Sequence, residues 1–314
     1  MKKIILICFI LVGLLVAGFM TYSHMNPEKV FVFTQNLERG AAHLAVKSTT
    51  INGIDIRYLD GGKGPALVLI HGFGADKDNW TRVSKYLTGH FRVIAPDLPG
   101  FGESSKLTDL DYSLSAQAQR LHDFVSALGL KKIHLGGSSM GGAISGVYAS
   151  MYPDQVESLW LVAPGAVNAP EQSDLGKALM EGKNPLINET PEEFDTTLDF
   201  VFYKKPYIPS SIMAMLARQS VAEKAIKDIV FKAIITDKTS IDTLLTGSTI
   251  PTLVLWGDHD RCLHVSGAGV LCEKMANATC VIMESAGHLP MIERPEEAAE
   301  AFLAFQGIAN DKNK

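Results

Sequence analysis

The sequence has few cysteines and no block of charge of one sign. Its 29 basic and 34 acidic residues give a formal net charge of −5 and are mixed along the chain. Proteins that bind nucleic acid carry clustered basic residues instead, so this absence excludes that class of function. The charge balance favours a neutral or apolar small molecule as the ligand.

The cysteines also lack the paired spacing of a zinc site. Cys8 lies in an N-terminal apolar run, which leaves Cys262, Cys272 and Cys280, an odd number, in the rest of the chain. Buried free thiols are therefore expected in preference to one disulfide among these three. No metal ion and no cofactor is predicted.

Charge is absent from Ile4 to Met20, directly after the basic pair Lys2-Lys3. A basic start followed by an apolar run is typical of an export signal or a membrane anchor. As a helix the run is about 25 Å long, slightly short of the roughly 30 Å hydrocarbon core of a bilayer. We expect residues 1–23 to be an uncleaved signal anchor that holds an exported chain at the membrane. The alternative is a cleaved signal peptide and a secreted protein.

Residues 24–48 are interpreted as a juxtamembrane segment, which can lie against the membrane or against the protein body. After it, Thr49 to Leu59 alternates in polarity around Asn52-Gly53, a pattern that predicts a hairpin and an antiparallel sheet edge.

Beyond the hairpin, short apolar strands alternate with helical patterns. The whole sequence is 46% hydrophobic and 20% charged, so it can bury a large core. Leu114 to Leu128 has apolar residues at spacings of four and three, as on one face of a helix. Continuous apolar runs predict strands covered on both faces at 66–70, 91–95, 133–137, 159–162, 252–256 and 279–283. This alternation predicts an α/β fold with a mostly parallel, doubly wound sheet that binds ligands at the carboxyl ends of its strands.

Roughly ninety residues separate two of these strands, which is far more than the usual connection. The separating segment contains several prolines and two amphipathic runs, from Pro191 to Tyr203 and from Ser210 to Ile235. We expect residues 165–249 to form an inserted helical cap on a core of residues 49–164 and 250–309. The apolar cap residues are expected to form the cap's own core more often than a substrate wall: Phe200, Phe202, Ile212, Met213, Met215 and Leu216.

Gly137-Ser138-Ser139-Met140-Gly141 fits the pattern G-x-S-x-G, in which a serine occupies a sharp strand-to-helix turn. An apolar strand precedes it and a helical pattern follows it, which favours a nucleophile at Ser139 over a plain glycine-rich turn. Ser138 is interpreted as the spacer before the turn. Because small residues flank the serine, neighbouring backbone can come close to it.

A serine nucleophile needs a base to take its proton and a third group to fix the base's tautomer. His288 follows Gly287 just past the last strand, and it completes the chain order serine, acid, histidine. Asp258 and Asp260 compete for the role of the acid. Asp260 is favoured because it lies further into its loop, whereas Asp258 occupies a position where a carboxylate caps the turn.

The negative charge that grows on the carbonyl oxygen during attack must meet fixed hydrogen-bond donors. The backbone N–H of Met140, at the start of the helix after Ser139, is one candidate donor. The N–H of Phe73, after His71-Gly72, is the other, so Phe73 and Met140 form the predicted oxyanion hole. His71 is expected to brace this loop and not to titrate in catalysis.

From about Ile51 to Phe305 the chain resembles the α/β-hydrolase superfamily, and within it membrane-anchored monoacylglycerol lipases and capped bacterial lipases and esterases. The residues that carry this resemblance are His71 to Trp80, Asp97 to Gly102, Gly137 to Gly142, Trp256 to Asp260 and Gly287-His288. The resemblance implies the triad Ser139, Asp260 and His288, with oxyanion donors at Phe73 and Met140. Such relatives often have a Val-Pro-type turn after the acid, where this chain has Cys262-Leu263-His264.

These observations predict a serine carboxylester hydrolase that acts through an acyl-enzyme on monoacylglycerols or short- to medium-chain acyl esters, with no obligate protein partner. One alternative is a carbon–carbon bond hydrolase of the ring-cleavage type, which shares the fold and triad but needs basic groups for an acidic dienoate. The cap offers Lys204, Lys205 and Arg218 for that purpose without evident arrangement. A second alternative is a binding or scaffold protein without turnover, although no triad member is missing.

Overall fold

The computed structural model describes Gly18 and residues 21–308, in which eight strands form one sheet. The strands are β1 (Leu44–Ile51), β2 (Ile54–Gly61), β3 (Ala66–Ile70), β4 (Arg92–Pro96), β5 (Ile133–Ser138), β6 (Val156–Val162), β7 (Thr252–Gly257) and β8 (Ala278–Met283). Their order in the sheet is β1-β2-β4-β3-β5-β6-β7-β8. Only β2 pairs antiparallel, with β1 and with β4, and the other pairs are parallel. The prediction of a mostly parallel, doubly wound sheet is confirmed.

The antiparallel edge is closed by the expected hairpin turn, because Asn52 and Gly53 both have positive φ, at 50° and 78°. Two positive φ angles are what a type I′ turn between twisted strands requires. The edge strand begins at Leu44, however, and so takes in residues assigned above to a juxtamembrane segment ending at 48. The polarity of Lys47 and Ser48 hid this strand, since both side chains are exposed on the edge.

The α-helices of residues 26–308 are α1 (Pro27–Ala41), α2 (Thr81–Ser84), α3 (Leu114–Ala127), α4 (Met140–Met151), α5 (Asp174–Met180), α6 (Glu193–Val201), α7 (Ser210–Ala222), α8 (Lys224–Thr236), α9 (Ile241–Leu244), α10 (Ser266–Lys274), α11 (Pro290–Glu293) and α12 (Pro295–Phe305). Five of them, α5 to α9, lie between β6 and β7, as expected of an inserted cap. The run from Ser210 to Ile235 forms two helices, because the backbone angles of Glu223, φ −88° and ψ 3°, lie outside the α-helical region.

Two hydrophobic clusters cover the two faces of the sheet. One contains residues of α3 and α4, such as Phe124 and Ile144, and the other contains residues of α2 and α12, such as Val83 and Phe302. Phe302 stacks on Trp160 of β6, with ring centroids 4.6 Å apart. Because helices cover both faces of the sheet, both sides of each central strand are buried, which explains why these strands are continuous apolar runs.

The expectation of free thiols was wrong for two of the three cysteines. Cys272 on α10 and Cys280 on β8 form a disulfide, with a Cα–Cα distance of 6.3 Å, while Cys262 is free and buried. Because α10 packs against β8, the two residues meet through tertiary contact, which their separation of eight positions does not reveal.

Asp242, buried at the start of α9, ties both ends of the cap to the core. Its carboxylate accepts hydrogen bonds from Asn168, which follows β6, from Ser240, and from Lys274 on α10 at 2.6 Å. Burial alone raises the pKa of a carboxyl, but these donors outweigh it and lower the pKa of Asp242 to about 2. The carboxylate therefore stays ionised and keeps both ends of the cap attached throughout the neutral range.

The predicted anchor, residues 1–23, falls almost entirely outside the described residues. Within Gly18 and 21–308, no helix combines the length and the apolarity that a membrane span requires. The helix α1 lies on the protein body, where Arg39 donates to Asp78 at 2.7 and 2.6 Å.

Candidate active site

Ser139 lies between β5 and α4 in a strained turn, with φ 55° and ψ −120°. A non-glycine residue in this region costs on the order of 1–3 kcal/mol, so the surrounding structure must impose it. The Ser139 N–H donates to Val162 O at 3.0 Å, and Ser139 O accepts from Gly165 N at 2.8 Å. A Cβ on Gly141 would lie 2.3 Å from Ile70 O, so only glycine permits this close packing of α4 on β3. The turn projects the Ser139 side chain from the carboxyl end of the sheet.

The two serines of the turn differ in environment. Ser138 is fully buried, and its Oγ has no hydrogen-bond partner among residues 21–308. Ser139 is partly exposed and lines a cavity of about 260 Å³, which we call the Ser139 cavity. Its other walls are mostly apolar side chains, among them Met140, Ala143, Leu179, Phe231 and Ile234. Ser139 can therefore meet a substrate, and Ser138 cannot.

Asp260 and His288 meet beyond the ends of β7 and β8. His288 Nδ1 lies 2.8 Å from Asp260 Oδ2, and both side chains are buried. Trp256 Nε1 also donates to Oδ2, at 3.0 Å, while the N–H groups of Cys262 and Leu263 donate to Oδ1 at 2.8 and 3.0 Å. Three donors thus fix the carboxylate, which in turn holds His288 with its proton on Nδ1 and a lone pair on Nε2.

The competing acid, Asp258, has a different role. Its Oδ1 lies 2.7 Å from His259 Nδ1 and accepts from Ala286 N at 3.3 Å. The carboxylate therefore caps the turn before His288, as its position predicted. The Cys262-Leu263-His264 segment replaces the expected Val-Pro-type turn and supplies two of the backbone donors to Asp260.

The loop after β3 lies directly against the serine. A Cβ on Gly72 would be 3.1 Å from Ser139 Cβ and 3.7 Å from its Oγ. His71 is fully buried, with Nδ1 2.8 Å from Gly72 O, and Nε2 accepts from Leu98 N at 2.9 Å. Burial lowers the pKa of His71, so it is a neutral brace of this loop, as expected. Phe73 follows Gly72, and it lines the Ser139 cavity together with Met140, the first residue of α4.

A buried ion-pair cluster under this loop was missed from sequence. Lys77 Nζ lies 2.9 Å from Asp97 Oδ2 and 2.8 Å from Glu103 Oε2, and Lys77 N donates to Asp97 Oδ1 at 2.7 Å. Lys77 and Asp97 are buried, and charges buried this deeply are stable only when paired. The cluster joins the Phe73 loop to the loop after β4. Lys77 and Asp97 are twenty positions apart in the sequence, and no helix or strand periodicity predicts that residues at this spacing will meet.

Glu293, at the end of α11, was also missed. Its Oε1 accepts from Gly287 N at 2.8 Å, and its Oε2 accepts from Lys204 N at 2.9 Å. The N–H of His288 itself donates to Val201 O, at 2.9 Å. Glu293 therefore joins the His288 loop to the end of α6 in the cap. Burial raises the pKa of the Glu293 carboxyl, because the loss of water around the carboxylate outweighs the hydrogen bonds that the backbone N–H groups donate to it.

The change Glu293→Gln is expected to lower kcat/KM for ester hydrolysis about tenfold, because the amide keeps one acceptor and turns an N–H₂ group towards the other backbone N–H. The loss of activity arises because His288 is displaced. Covalent labelling of Ser139 needs the same base, so its rate should fall in parallel. Glu296→Gln, at an exposed position of α12, is the control and should leave both rates unchanged. A lower melting temperature with an unchanged labelling rate would make Glu293 a purely structural residue.

One group of potential metal ligands converges within the described part of the chain: Asp260, Cys262 and His288, with ligand atoms within 4.8 Å of one another. Both oxygens of Asp260 already accept hydrogen bonds. Burial raises the pKa of the Cys262 thiol well above its usual range, and the neutral thiol is not a metal ligand. The group is better suited to hold His288 than to hold a metal ion.

A serine on a strained strand-to-helix turn, a histidine held by a buried aspartate, and a backbone loop against the serine together define the class of serine hydrolases. The chain belongs to the α/β-hydrolase family, since the family model described as alpha/beta hydrolase fold matches residues 65–222.

Known proteins of this family are similar over most of the chain. Lipase 1 of Psychrobacter immobilis is 41% identical over 277 residues, which cover 86% of this chain and 87% of the relative. The human monoacylglycerol lipase ABHD6 is 33% identical over 266 residues, with 81% of this chain and 79% of the relative covered. The crystal structure of a membrane phospholipase A, a bacterial virulence factor, superimposes with a TM-score of 0.88 at 39% identity and covers 98% of both chains.

The chain is therefore a carboxylic ester hydrolase of the lipase and esterase type, as predicted from its motifs. The ring-cleavage alternative is not favoured by these relatives. In the structure Lys205, one of the cap's basic residues, already forms ion pairs with Asp195 and Asp199, at 2.7 and 2.8 Å.

Proposed function

We propose that this protein hydrolyses monoacylglycerols or similar short- to medium-chain acyl esters, with Ser139 as nucleophile, His288 as base and Asp260 as its orienting acid. The observation that carries the proposal is the 2.8 Å contact between His288 Nδ1 and Asp260 Oδ2. It leaves Nε2 as the atom that can take a proton.

In the acylation step, Ser139 Oγ attacks the carbonyl carbon of the ester while its proton passes to His288 Nε2. The imidazolium that forms is stabilised by the buried Asp260 carboxylate, which stays ionised. When the tetrahedral intermediate collapses, Nε2 gives the proton to the alcohol oxygen. The alcohol leaves, and the acyl group remains bound to Ser139.

The oxyanion of this intermediate is met by the backbone N–H groups of Phe73 and Met140. Met140 lies in the first turn of α4, where N–H groups have no acceptor within the helix and the helix dipole favours negative charge. Each such donor typically contributes about 3–4 kcal/mol to the stabilisation of the transition state. The Lys77–Asp97 pair fixes the loop that presents Phe73.

Water then attacks the acyl-enzyme with His288 again as the base, and the carboxylic acid is released. The apolar walls of the Ser139 cavity suit an acyl chain. The relatives that carry lipase names support an ester of this kind as the substrate.

The experiment that tests the proposal compares hydrolysis of monooctanoylglycerol and p-nitrophenyl butyrate with cleavage of a dienoate ring-fission product. Turnover of both esters, together with labelling of the Ser139 peptide by a fluorophosphonate, is the expected result. Turnover of the dienoate in preference to the esters would replace the proposal by carbon–carbon bond hydrolysis.

We further infer that residues 1–23 anchor the protein to a membrane with the catalytic part exported. Support comes from the apolar run of Ile4 to Met20 and from three exposed side chains of α1 that follow it, Val32, Phe33 and Leu37. The Cys272–Cys280 disulfide fits an oxidising compartment.

Activity of the full chain is expected to sediment with membranes, and deletion of residues 1–20 should release most of it into the soluble fraction. The same distribution for both proteins would contradict the anchor.

A further inference from the structure

We propose that Arg39 of α1 is a positioning residue for ester hydrolysis, which holds Asp78 and through it fixes the loop that carries the oxyanion donor Phe73. The inference rests on the proposed function, since the N–H of Phe73 is the donor proposed there. The Phe73 loop comprises residues 71–76. Arg39 precedes β1 and lies outside residues 65–222, which the family model matches. The proposal therefore gives α1 a role in the reaction, in addition to connecting the catalytic part to the N-terminal segment.

Arg39 and Asp78 form an ion pair with two hydrogen bonds. Arg39 Nε donates to Asp78 Oδ1 at 2.7 Å and Nη2 donates to Oδ2 at 2.6 Å, and only 11% and 13% of the two side chains are exposed. Two parallel hydrogen bonds from a guanidinium to a carboxylate fix its direction as well as its distance. Thr81 Oγ1 and Gln35 Nε2 also donate to this carboxylate, at 3.2 and 3.4 Å, but neither supplies a charge. Arg39 therefore orients the Asp78 carboxylate and balances its charge.

Hydrogen bonds from the backbone connect Asp78 to the Phe73 loop. Asp78 N donates to Asp76 Oδ1 at 2.8 Å, so the position of Asp78 sets that of the last residue of the loop. Within the loop, Ala75 N donates to Gly72 O at 3.4 Å, and Phe73 lies in the turn that this hydrogen bond closes. A displacement of Asp78 is therefore passed along a short stretch of backbone to the N–H of Phe73.

The two ends of the Phe73 loop are also tied to the segment that follows β4. At the first end, His71 Nε2 accepts from Leu98 N at 2.9 Å. Just past the other end, Lys77 N donates to Asp97 Oδ1 at 2.7 Å. Arg39 adds a tie in a second direction, to α1. Because the loop is held from two sides, its N–H groups are fixed before a substrate arrives, as an oxyanion hole requires.

The charges around Asp78 make Arg39 necessary for this arrangement. Asp78 belongs to a cluster of four carboxyl groups and two cations: Asp76, Asp78, Asp97, Glu103, Arg39 and Lys77. Lys77 Nζ lies 3.8 Å from Asp78 Oδ2 but 2.9 and 2.8 Å from its other two acids. Burial and the neighbouring Asp78 and Asp97 raise the pKa of Asp76 to about 7, which indicates an excess of negative charge. Without Arg39, the Asp78 carboxylate must take up a proton or turn towards water, and either change shifts Asp78 relative to the loop.

The test is Arg39→Ala, measured with the full chain in detergent. We expect kcat for p-nitrophenyl butyrate to fall about tenfold, which is part of the roughly 10²- to 10³-fold loss that follows removal of an oxyanion donor. KM should stay within about twofold, because the oxyanion forms only in the transition state. Affinity for a trifluoromethyl ketone, whose carbonyl oxygen becomes an oxyanion when Ser139 adds to it, should fall by the same factor as kcat. Guanidinium ion at millimolar concentration should restore part of the lost kcat, whereas urea at the same concentration should not.

Asp78→Asn completes a double-mutant cycle with Arg39→Ala. If Arg39 acts through Asp78, the change Arg39→Ala should lower kcat by less than about threefold when Asp78→Asn is already present. Asp78→Asn alone should lower kcat at an unchanged KM, so the inference stays testable even if Arg39→Ala does not fold. A further tenfold loss in the double variant, a loss confined to KM, or an unchanged kcat in Arg39→Ala would overturn the inference.

Arg82→Ala is the matched control on the same helix contact. Arg82 Nη2 lies 2.9 Å from Glu38 Oε1, an ion pair that also joins α1 to the protein body, but 42% and 39% of these side chains are exposed. Because an exposed pair contributes little, kcat of Arg82→Ala should stay within about twofold of the wild type. Equal losses in Arg82→Ala and Arg39→Ala would show that any loosening of α1 lowers activity, and would leave Arg39 without a role of its own. The wild type hydrolyses p-nitrophenyl butyrate in every outcome that overturns this inference, whereas failure of the proposed function would abolish that hydrolysis.

Discussion

Ser139→Ala is expected to lower kcat for ester hydrolysis by a factor on the order of 10⁴ to 10⁶. No other hydroxyl of this turn reaches the cavity, because Ser138 is fully buried and does not line it. The melting temperature should change little, since alanine tolerates φ 55° about as poorly as serine does and the backbone hydrogen bonds of the turn remain. Steady-state hydrolysis of p-nitrophenyl butyrate and fluorophosphonate labelling measure the loss.

Ser138→Ala is the matched control, one residue away in the same turn. Its activity should stay within about twofold of the wild type. Its stability should be equal or slightly higher, because the change removes a buried hydroxyl that has no hydrogen-bond partner among residues 21–308. Retention of more than a few per cent of turnover by Ser139→Ala, or an equal loss in both variants, would remove Ser139 from the role of nucleophile.

The parts of the site that local sequence encodes were predictable. The serine turn requires small residues at fixed positions, and Gly141 shows why, since any Cβ there would meet the backbone of β3. The choice of Asp260 over Asp258 followed from one loop position, and the structure pairs Asp260 with His288 and Asp258 with His259. In each case the relevant geometry is set within a few residues of a strand end.

The parts that depend on contacts between distant segments were not predictable. Glu293 accepts hydrogen bonds from the backbone N–H groups of Gly287 and Lys204. Because almost every residue type has a backbone N–H, the sequence does not reveal these donors. Lys77 and Asp97 meet because β3 and β4 are neighbours in the sheet. The disulfide depends likewise on how α10 packs on β8.

The cap shows the same limit. Phe200, Ile212 and Met215 are buried, as expected of a cap core. Phe202 and Leu216 instead line a cavity of about 270 Å³ between the Phe73 loop and the cap, a role that the same apolar pattern equally allows. Periodicity predicted the apolar faces of these helices. It did not predict which of them would face the Phe73 loop, because the break at Glu223 sets the direction of α8 relative to α7.

Asp260→Asn has the second largest expected effect, a loss in kcat of about 10⁴-fold. The amide oxygen can replace Oδ1 and accept the N–H groups of Cys262 and Leu263. The N–H₂ group then stands where Oδ2 met His288 Nδ1, so the imidazole moves its proton to Nε2 and can no longer take one from Ser139. Trp256 keeps a partner in Leu263 O, at 3.0 Å, which limits the loss of stability.

Asp258→Asn separates this tautomer effect from a general loss of charge near His288. It removes the same charge from the same loop, but its side chain is 31% exposed and contacts His259, so kcat should fall less than threefold. The downfield proton resonance of His288 Nδ1–H provides an independent measurement: it should persist in Asp258→Asn and vanish in Asp260→Asn. Similar losses of kcat in the two variants, with the resonance retained in both, would show that the carboxylates act only through their charge and that Asp260 does not orient the base.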